Sequence, residues 1–500
     1  MSRKRPNLIF VIVDNQAAET LRCYGNTEVH TPNIDRLSRE GLQIDDAYGV
    51  NALCSPGRAS VLTGLMPSQH GVHSWLDDRS LAEWGPGWSA ISEFHSLPLV
   101  LGDAGYATGL IGKYHLGVPH APQNGFQHWV ALLRGHTLSF YDSIVVKDGQ
   151  ESTRPGHSVD FLTDEAIDFI EARAEEPQRP FFLFLAYNGP YGHWPAAKGQ
   201  ADNRFSALYD DCPMTTVPRA GLSQAAIDYV ELQLKTGVRG KGGPDYHTLL
   251  KAPNDVPSLR NYYSQISIID DDVGRLMAAL QRCGLDEDTL VIYTADHAFS
   301  LGHHGFWGHG VATWPANAHR VAYNIPMILR HPGGIAAGRR SAQLVSNVDL
   351  YATLTEYLGI GDAPCNRASP SRSFAALLQG RAMAWDDAVF IDQEETRALR
   401  TRDWLYLRRF SGSKTYALAD ELYDLRHDPG ETRNLIGEPA LASTAAALAS
   451  RLDAFFAGHT DPSYDLWKGG APKSNSSRPW LWRDAWGEGW KPLALITAPP

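Results

Sequence analysis

The sequence predicts an α/β fold: one large, mostly parallel sheet flanked by helices, followed by a smaller C-terminal α+β domain. Three observations lead there. Short apolar runs rich in β-branched and aromatic residues alternate with helical patterns along most of the chain. Those runs lack a polar face, as strands covered by helices on both sides do. After about residue 375 the texture changes to shorter, alternating runs.

Taken in order, the first strand is "NLIFVIVD" (7–14). In "HTPNIDRLSREG", Thr31 serves as N-cap, Pro32 sits at the first helical position and Gly41 follows the end. Ser55-Pro56 reads as a second helix start and Gly64 as its end, placing Cys54 at a helix N-terminus. Further strands are "ATGLIG" (107–112), "PFFLFLAY" (180–187), "TLVIYTAD" (289–296) and "IPMILR" (325–330). Amphipathic helices are expected over 158–176 and 261–284. "ALRTRDWLYLRRF" and "TYALADELYDLRHDPGETRNLI" read as short strands with a turn, and 442–459 as a helix. The domain reading is therefore 1–375, 376–464 and a tail, 465–500, rich in Pro, Gly and Trp and without clear period.

Length and composition suit a large core: 500 residues, 43% hydrophobic, formal net charge −11. No apolar run reaches the roughly 18 residues of a membrane span. The basic start followed by "NLIFVIVD" imitates a signal peptide, but the run is short, ends in Asp14 and lacks a small-residue cleavage site, so a cytoplasmic protein is expected. Five scattered cysteines without a CxxC pair point to reduced thiols. Mild acidity with no basic run argues against nucleic acid, and weakly against long polyanions.

In open α/β sheets, ligands bind beyond the carboxyl ends of the strands. Polar residues gather there: Asp14 and Asn15 after the first run, Lys113 and His115 after the second, His193 after the third, Asp296 and His297 after the fourth. One such residue is usually a cap or a solvated loop residue; four strands delivering them to one edge define a site. The oxygen donors of Asp14, Asn15 and Asp296 suit Ca²⁺ or Mg²⁺, and the His297 imidazole leaves Mn²⁺ or Zn²⁺ open. His303, His304 and His309 invite a zinc reading, without a thiolate or HxxxH spacing to support it. Cys54, with free N–H groups and the helix dipole beside it and Arg58 one turn on, reads as a reactive thiol at an anion site.

Cys54-Ser55-Pro56-Gly57-Arg58 resembles the CxPxR motif of type I sulfatases, in the alkaline-phosphatase superfamily. The blocks "PNLIFVIVDNQ", "CYGNTEVHTPNIDRLSREG", "CSPGRASVLTGLMPSQHG", "GYATGLIGKYHLG", "TLVIYTADHAFSLGHHGFWGHG" and "ELYDLRHDPGETRNL" are similar to that family's, in the same order. The resemblance implies that a formylglycine-generating enzyme oxidises Cys54 to formylglycine. One hydroxyl of the hydrated aldehyde attacks sulfur and expels the alcohol; loss of the other hydroxyl's proton then ejects sulfate. It further implies one divalent metal, Ca²⁺ foremost with Mg²⁺ or Mn²⁺ as alternatives, held by Asp14, Asn15, Asp296, His297 and the modified Cys54. Arg58 and Lys113 would offset charge on the diol and the sulfate. His115 would be the base that releases sulfate, and His193 the acid to the leaving alcohol.

Three positions depart from the commonest pattern. Asn15 replaces a second Asp, so the cation loses a formal charge. Gly57 replaces a frequent Ser or Ala, with little expected effect. His309 replaces a Lys, and binds sulfate only if protonated. Two rivals stand beside the sulfatase reading: a phosphonate or phosphate ester hydrolase on the same scaffold, and a non-catalytic binding protein. Trp75, Asp77, Asp78 and His136 suggest a polar, aromatic-walled pocket, so a small sulfated carbohydrate is the expected substrate. Pocket loops are sought in 69–78, 131–155 and 190–260. Five of the chain's 14 tryptophans fall in the tail, which is expected to dock on a surface, at a homo-oligomer interface or along its own domain.

Overall fold

A computed structural model describes residues 5–76, 84–85, 87–191, 201–219, 221–236, 255–361 and 364–493. Ten strands form the main sheet: β1 (Asn7–Asp14), β2 (Leu42–Ile44), β3 (Ala107–Gly112), β4 (His128–Leu132), β5 (Tyr141–Lys147), β6 (Gln150–His157), β7 (Phe181–Pro190), β8 (Thr289–Ala295), β9 (Met327–Arg330) and β10 (Arg339–Ser341). Their order is β10-β2-β9-β8-β1-β7-β3-β4-β5-β6. The five central strands, β8-β1-β7-β3-β4, run parallel. All eight residues of β1 are buried, as its unbroken apolar pattern requires. Helices Ser158–Ala174 and Val256–Arg282 pack together over this centre.

The flanks correct the expected direction of one strand. β9, within the 325–330 run, pairs antiparallel with both β8 and β2. Two-sided apolarity reports cover on both faces, not strand direction. The β5–β6 hairpin, missed at the far edge, turns through Asp148-Gly149, both at positive φ. Asp-Gly between strands is a strong two-residue hairpin signal; the polar faces of these edge strands hid it.

The smaller sheet is antiparallel: β11 (Ala388–Gln393), β12 (Thr396–Thr401), β13 (Trp404–Arg409) and β14 (Glu421–Asp424). Alternation divides its faces. Ala398, Leu405 and Leu407 pack on Tyr48, Ala52 and Tyr323 of the large domain. Leu399, Tyr406 and Leu422 pack on Leu448, Leu452 and Phe456 of helix Ala442–Gly458.

The tail is more ordered than its composition implied, with a two-turn helix, Pro479–Trp486. Trp467, Trp480, Trp482 and Trp490 cluster with Phe410, Leu481 and Trp314 of the same chain. Before that helix, residues 473–478 run between the two domains. Lys473 N donates to Gly71 O (2.7 Å), and the Ser477 backbone and hydroxyl bond to Glu394.

Candidate active site

The end of β1 sets the floor of the site. Asp14 is its last residue, and Asn15 follows in the left-handed region (φ 64°), which asparagine tolerates better than most residues. Neighbours fix this turn: Tyr191 N donates to Asp14 O (3.1 Å), Gln16 N to His297 O (3.1 Å) and the Tyr262 hydroxyl to Asn15 O (2.6 Å). Asp296 and His297 follow β8, beside β1. Cys54 opens helix Cys54–Thr63, all ten residues of which are buried. Gly64, the expected terminator, closes it at φ 68°.

The side chains converge. Lys113 Nζ bonds to Asp14 Oδ2. Arg58 Nε donates to Asp296 Oδ2 (2.9 Å), and its Nη1 to Lys113 O (2.6 Å). His297 Nδ1 lies 2.7 Å from Ala298 O, so that nitrogen carries the proton and Nε2 presents its lone pair. Nε2 stands 3.6 Å from Asp14 Oδ1 and 3.7 Å from Asp296 Oδ1. One ligand atom each from Asp14, Cys54 and His297 falls within 4.8 Å of the others.

Three buried acceptors here have no hydrogen-bond partner among the described residues: Asp14 Oδ1, Asn15 Oδ1 and His297 Nε2. Orphaned buried acceptors are costly and rare, and acceptors converging from two strand ends fit a hard cation. The expected ligand set therefore fits a metal, with Asn15 supplying an amide oxygen in place of a second carboxylate.

The electrostatics agree. Burial favours protonation of Asp14, but Lys113 foremost, with Arg58, outweighs it and holds the carboxyl well below the usual range. Asp296 is pushed up by burial and by Asp14, against Arg58. Burial would raise the Cys54 thiol, yet Lys113 and His115 bring it well below its ordinary value. His115 Nε2 lies 3.0 Å from Leu76 O, and its buried Nδ1 has no partner.

Some expectations need correction. A Cβ at Gly57 would land on the Asp296 backbone carbonyl, so glycine is demanded there rather than merely tolerated: the helix and the residue after β8 touch backbone to backbone. His309 lies with its ring 5.0 Å from that of His297. Burial foremost pushes its pKa down to about 3, which disfavours the protonated form that binding sulfate through His309 would need. His303 and His304 point elsewhere, to Glu19 and to the His319 ring. His193, Asp77 and Asp78 lie outside the described residues, as does much of 190–260. His136 does reach the site, its ring 5.1 Å from that of His115.

The sequence reading missed Gly135, where a Cβ would overlap the His115 ring, and Tyr262, which anchors Asn15. Neither carries a local signal.

A buried cysteine at a helix N-terminus, two fixed cations and a converging set of acceptors at the carboxyl edge of a sheet form a site able to take an oxyanion. Comparison with known proteins narrows the class. A Sulfatase family model matches residues 6–360, and an N-sulphoglucosamine sulphohydrolase C-terminal model matches 317–457. An N-acetylglucosamine-6-O-sulfatase of Bacteroides thetaiotaomicron is 26% identical, over 90% of this chain and 86% of that one. A sulfatase structure solved with its substrate D-glucosamine-2-N,6-O-disulfate superposes with TM-score 0.73 at 24% identity, covering 91% of this chain and 98% of that one. A phosphonate monoester hydrolase of Agrobacterium radiobacter gives 0.67 at 20%, covering 91% and 96%. The chain belongs to the sulfatase family, and it is an enzyme that hydrolyses sulfate esters.

Proposed function

We propose that the chain, with Cys54 matured to formylglycine by a formylglycine-generating enzyme, releases sulfate from a small sulfated carbohydrate with one divalent cation, Ca²⁺. The observation that carries this reading is the trio of partnerless buried acceptors, Asp14 Oδ1, Asn15 Oδ1 and His297 Nε2, beside Cys54. The carbohydrate class is supported by the N-acetylglucosamine-6-O-sulfatase relative.

Asp14, Asn15, Asp296 and His297 would hold the cation, which supplies polarisation of the sulfate and acidifies a hydroxyl on residue 54. The chain's own residues do the rest. Lys113, pinned by Asp14, and Arg58, pinned by Asp296, present positive charge where the sulfate oxygens gather. Because Lys113 is buried, that charge acts in a low-dielectric setting and is strong. Its Asp14 and Cys54 neighbours outweigh burial and keep it protonated. His115 Nε2 is committed to Leu76 O, which leaves Nδ1 as the atom able to accept a proton from residue 54.

The test is turnover of N-acetylglucosamine 6-sulfate and an aryl sulfate against an aryl phosphonate, with peptide mass spectrometry at residue 54. Sulfate release by formylglycine-bearing protein, lost on chelation and restored by Ca²⁺, is expected. Full activity with unmodified Cys54 overturns the mechanism, and preference for the phosphonate overturns the substrate class.

A further inference from the structure

Besides its aromatic anchors, the tail carries a polar strap, residues 473–478, and one of its side chains leads to the catalytic histidine. Ser474 is fully buried. Its Oγ accepts from His73 N and from Ser74 N, both at 3.0 Å, and donates to Asn475 O (3.0 Å). Asn475 N donates to Trp75 O (3.3 Å). The strap thus fixes three consecutive residues of a loop whose next residue is Leu76. Leu76 has two links to the site: its N–H donates to Ser55 Oγ (3.1 Å), beside the nucleophile position, and its carbonyl takes the His115 Nε2 proton (3.0 Å). The ring fills the space that a side chain at residue 135 would take, which is why Gly135 stands there.

The strap itself cannot slide. Upstream, Lys473 Nζ donates to Ala90 O (3.1 Å) and pairs with Glu93 (2.8 Å). Downstream, Arg478, fully buried, pairs with Glu395 (3.2 Å) and donates to Val311 O (2.9 Å) and Thr313 O (2.8 Å). Those two carbonyls belong to the loop that carries His309.

Resting on the reading of His115 as the base for sulfate release, we infer that Ser474 is a positioning residue for that step. Its hydroxyl sets the 73–76 loop, the loop sets the Leu76 carbonyl, and the carbonyl sets the tautomer and aim of His115. An imidazole whose Nε2–H is held presents Nδ1 to the hydroxyl of residue 54, takes that proton, and lets the C–O bond to sulfate break as the aldehyde C=O forms. The final stretch of the chain is therefore part of the catalytic apparatus without touching substrate.

The experiment uses the mature full-length enzyme and an aryl sulfate, reading alcohol and sulfate release separately before the steady state, with hydrogen exchange of segment 71–76. Ser474→Ala should expose the His73 and Ser74 amides to exchange. It should leave first-turnover alcohol release intact and slow sulfate release about 10- to 100-fold, so that a burst appears. Ser474→Thr, which keeps the hydroxyl, should restore both readouts. In a His115→Ala background, Ser474→Ala should cost nothing more. If Ser474→Ala yields poorly, Ser474→Cys, a weak acceptor of similar size, carries the same reading. Wild-type sulfate release in Ser474→Ala, while His115→Ala shows the burst, overturns the inference and leaves the proposed function standing. Equal slowing of both halves in Ser474→Ala marks general damage to the site and also overturns it. Equal slowing of both halves in His115→Ala instead removes the base assignment on which the inference depends.

Discussion

Two buried polar clusters in this molecule use the same side chains and end differently. At the β1–β8 edge, Asp14, Asp296, His297, Lys113 and Arg58 leave acceptors with no partner. Between the domains, Glu431 meets Arg400 at one oxygen, and His319 Nδ1 (2.9 Å) and Arg320 N (3.0 Å) at the other. His304, His319 and Glu431 lie close enough to cradle an ion, yet Glu431 has both oxygens engaged. Proximity of metal-ligating residues is thus a poor guide to function. What separates the two clusters is whether the acceptor oxygens that could hold an ion are already engaged.

The comparison can be broken in four places. The largest effect belongs to Cys54→Ala, which should lower turnover at least about 10³-fold. The melting temperature should move far less than the turnover, because the change removes only one sulfur atom; a large loss of stability would make residue 54 structural. Next comes Glu431→Gln, which strips the charge that Arg400 and His319 oppose. It should cost about 3–5 kcal/mol in urea unfolding while kcat/KM of the folded enzyme changes little. A catalytic loss without a stability loss would place Glu431 in a site after all.

Gly57→Ala lies between the clusters in kind. Forcing the helix off the Asp296 carbonyl should cost about 1–3 kcal/mol as overpacking does and weaken Ca²⁺ binding, read by calorimetry. Unchanged affinity would show that the close approach serves packing alone. The smallest effect is in acid. Burial works against the Glu431 charge, but Arg400 and His319 hold its pKa well below the usual 4.5. A depressed carboxyl contributes stability above its unfolded pKa and loses it as pH falls through the folded value. Stability measured from pH 5 downward should therefore fall less steeply in Glu431→Gln than in the parent.

Much of this was legible in the sequence because the signals were local. Unbroken apolar runs ending in Asp14 and Asp296 mark both the central strands and the polar residues that converge beyond them. Proline, glycine and the order of the blocks fixed the Cys54 helix. What escaped depends on partners far along the chain. The direction of β9 is set by which strands it joins, and its composition is that of any doubly covered strand. Gly57 was misjudged because the carbonyl that excludes a side chain lies 239 positions away, on Asp296. Ser474 and Arg478 sat in a segment judged by its tryptophans, and serine or arginine in a polar loop carries no mark of what it will grip. His309 could be placed near the site, but its pKa is set foremost by burial, which no local pattern reveals.

The burial of the Cys54 helix has a consequence in time. With Cys54 only 4% exposed and its whole helix enclosed, no second enzyme can reach that side chain in the finished fold. The strap that closes over the neighbouring loop is synthesised more than 400 residues after Cys54. At about 5–20 residues per second, that gap opens an interval of tens of seconds in which residues 51–64 can be held extended by another protein. The maturation of Cys54 proposed above belongs to that interval, and the rate at which this chain folds around residue 54 would then set how much of the protein is made competent.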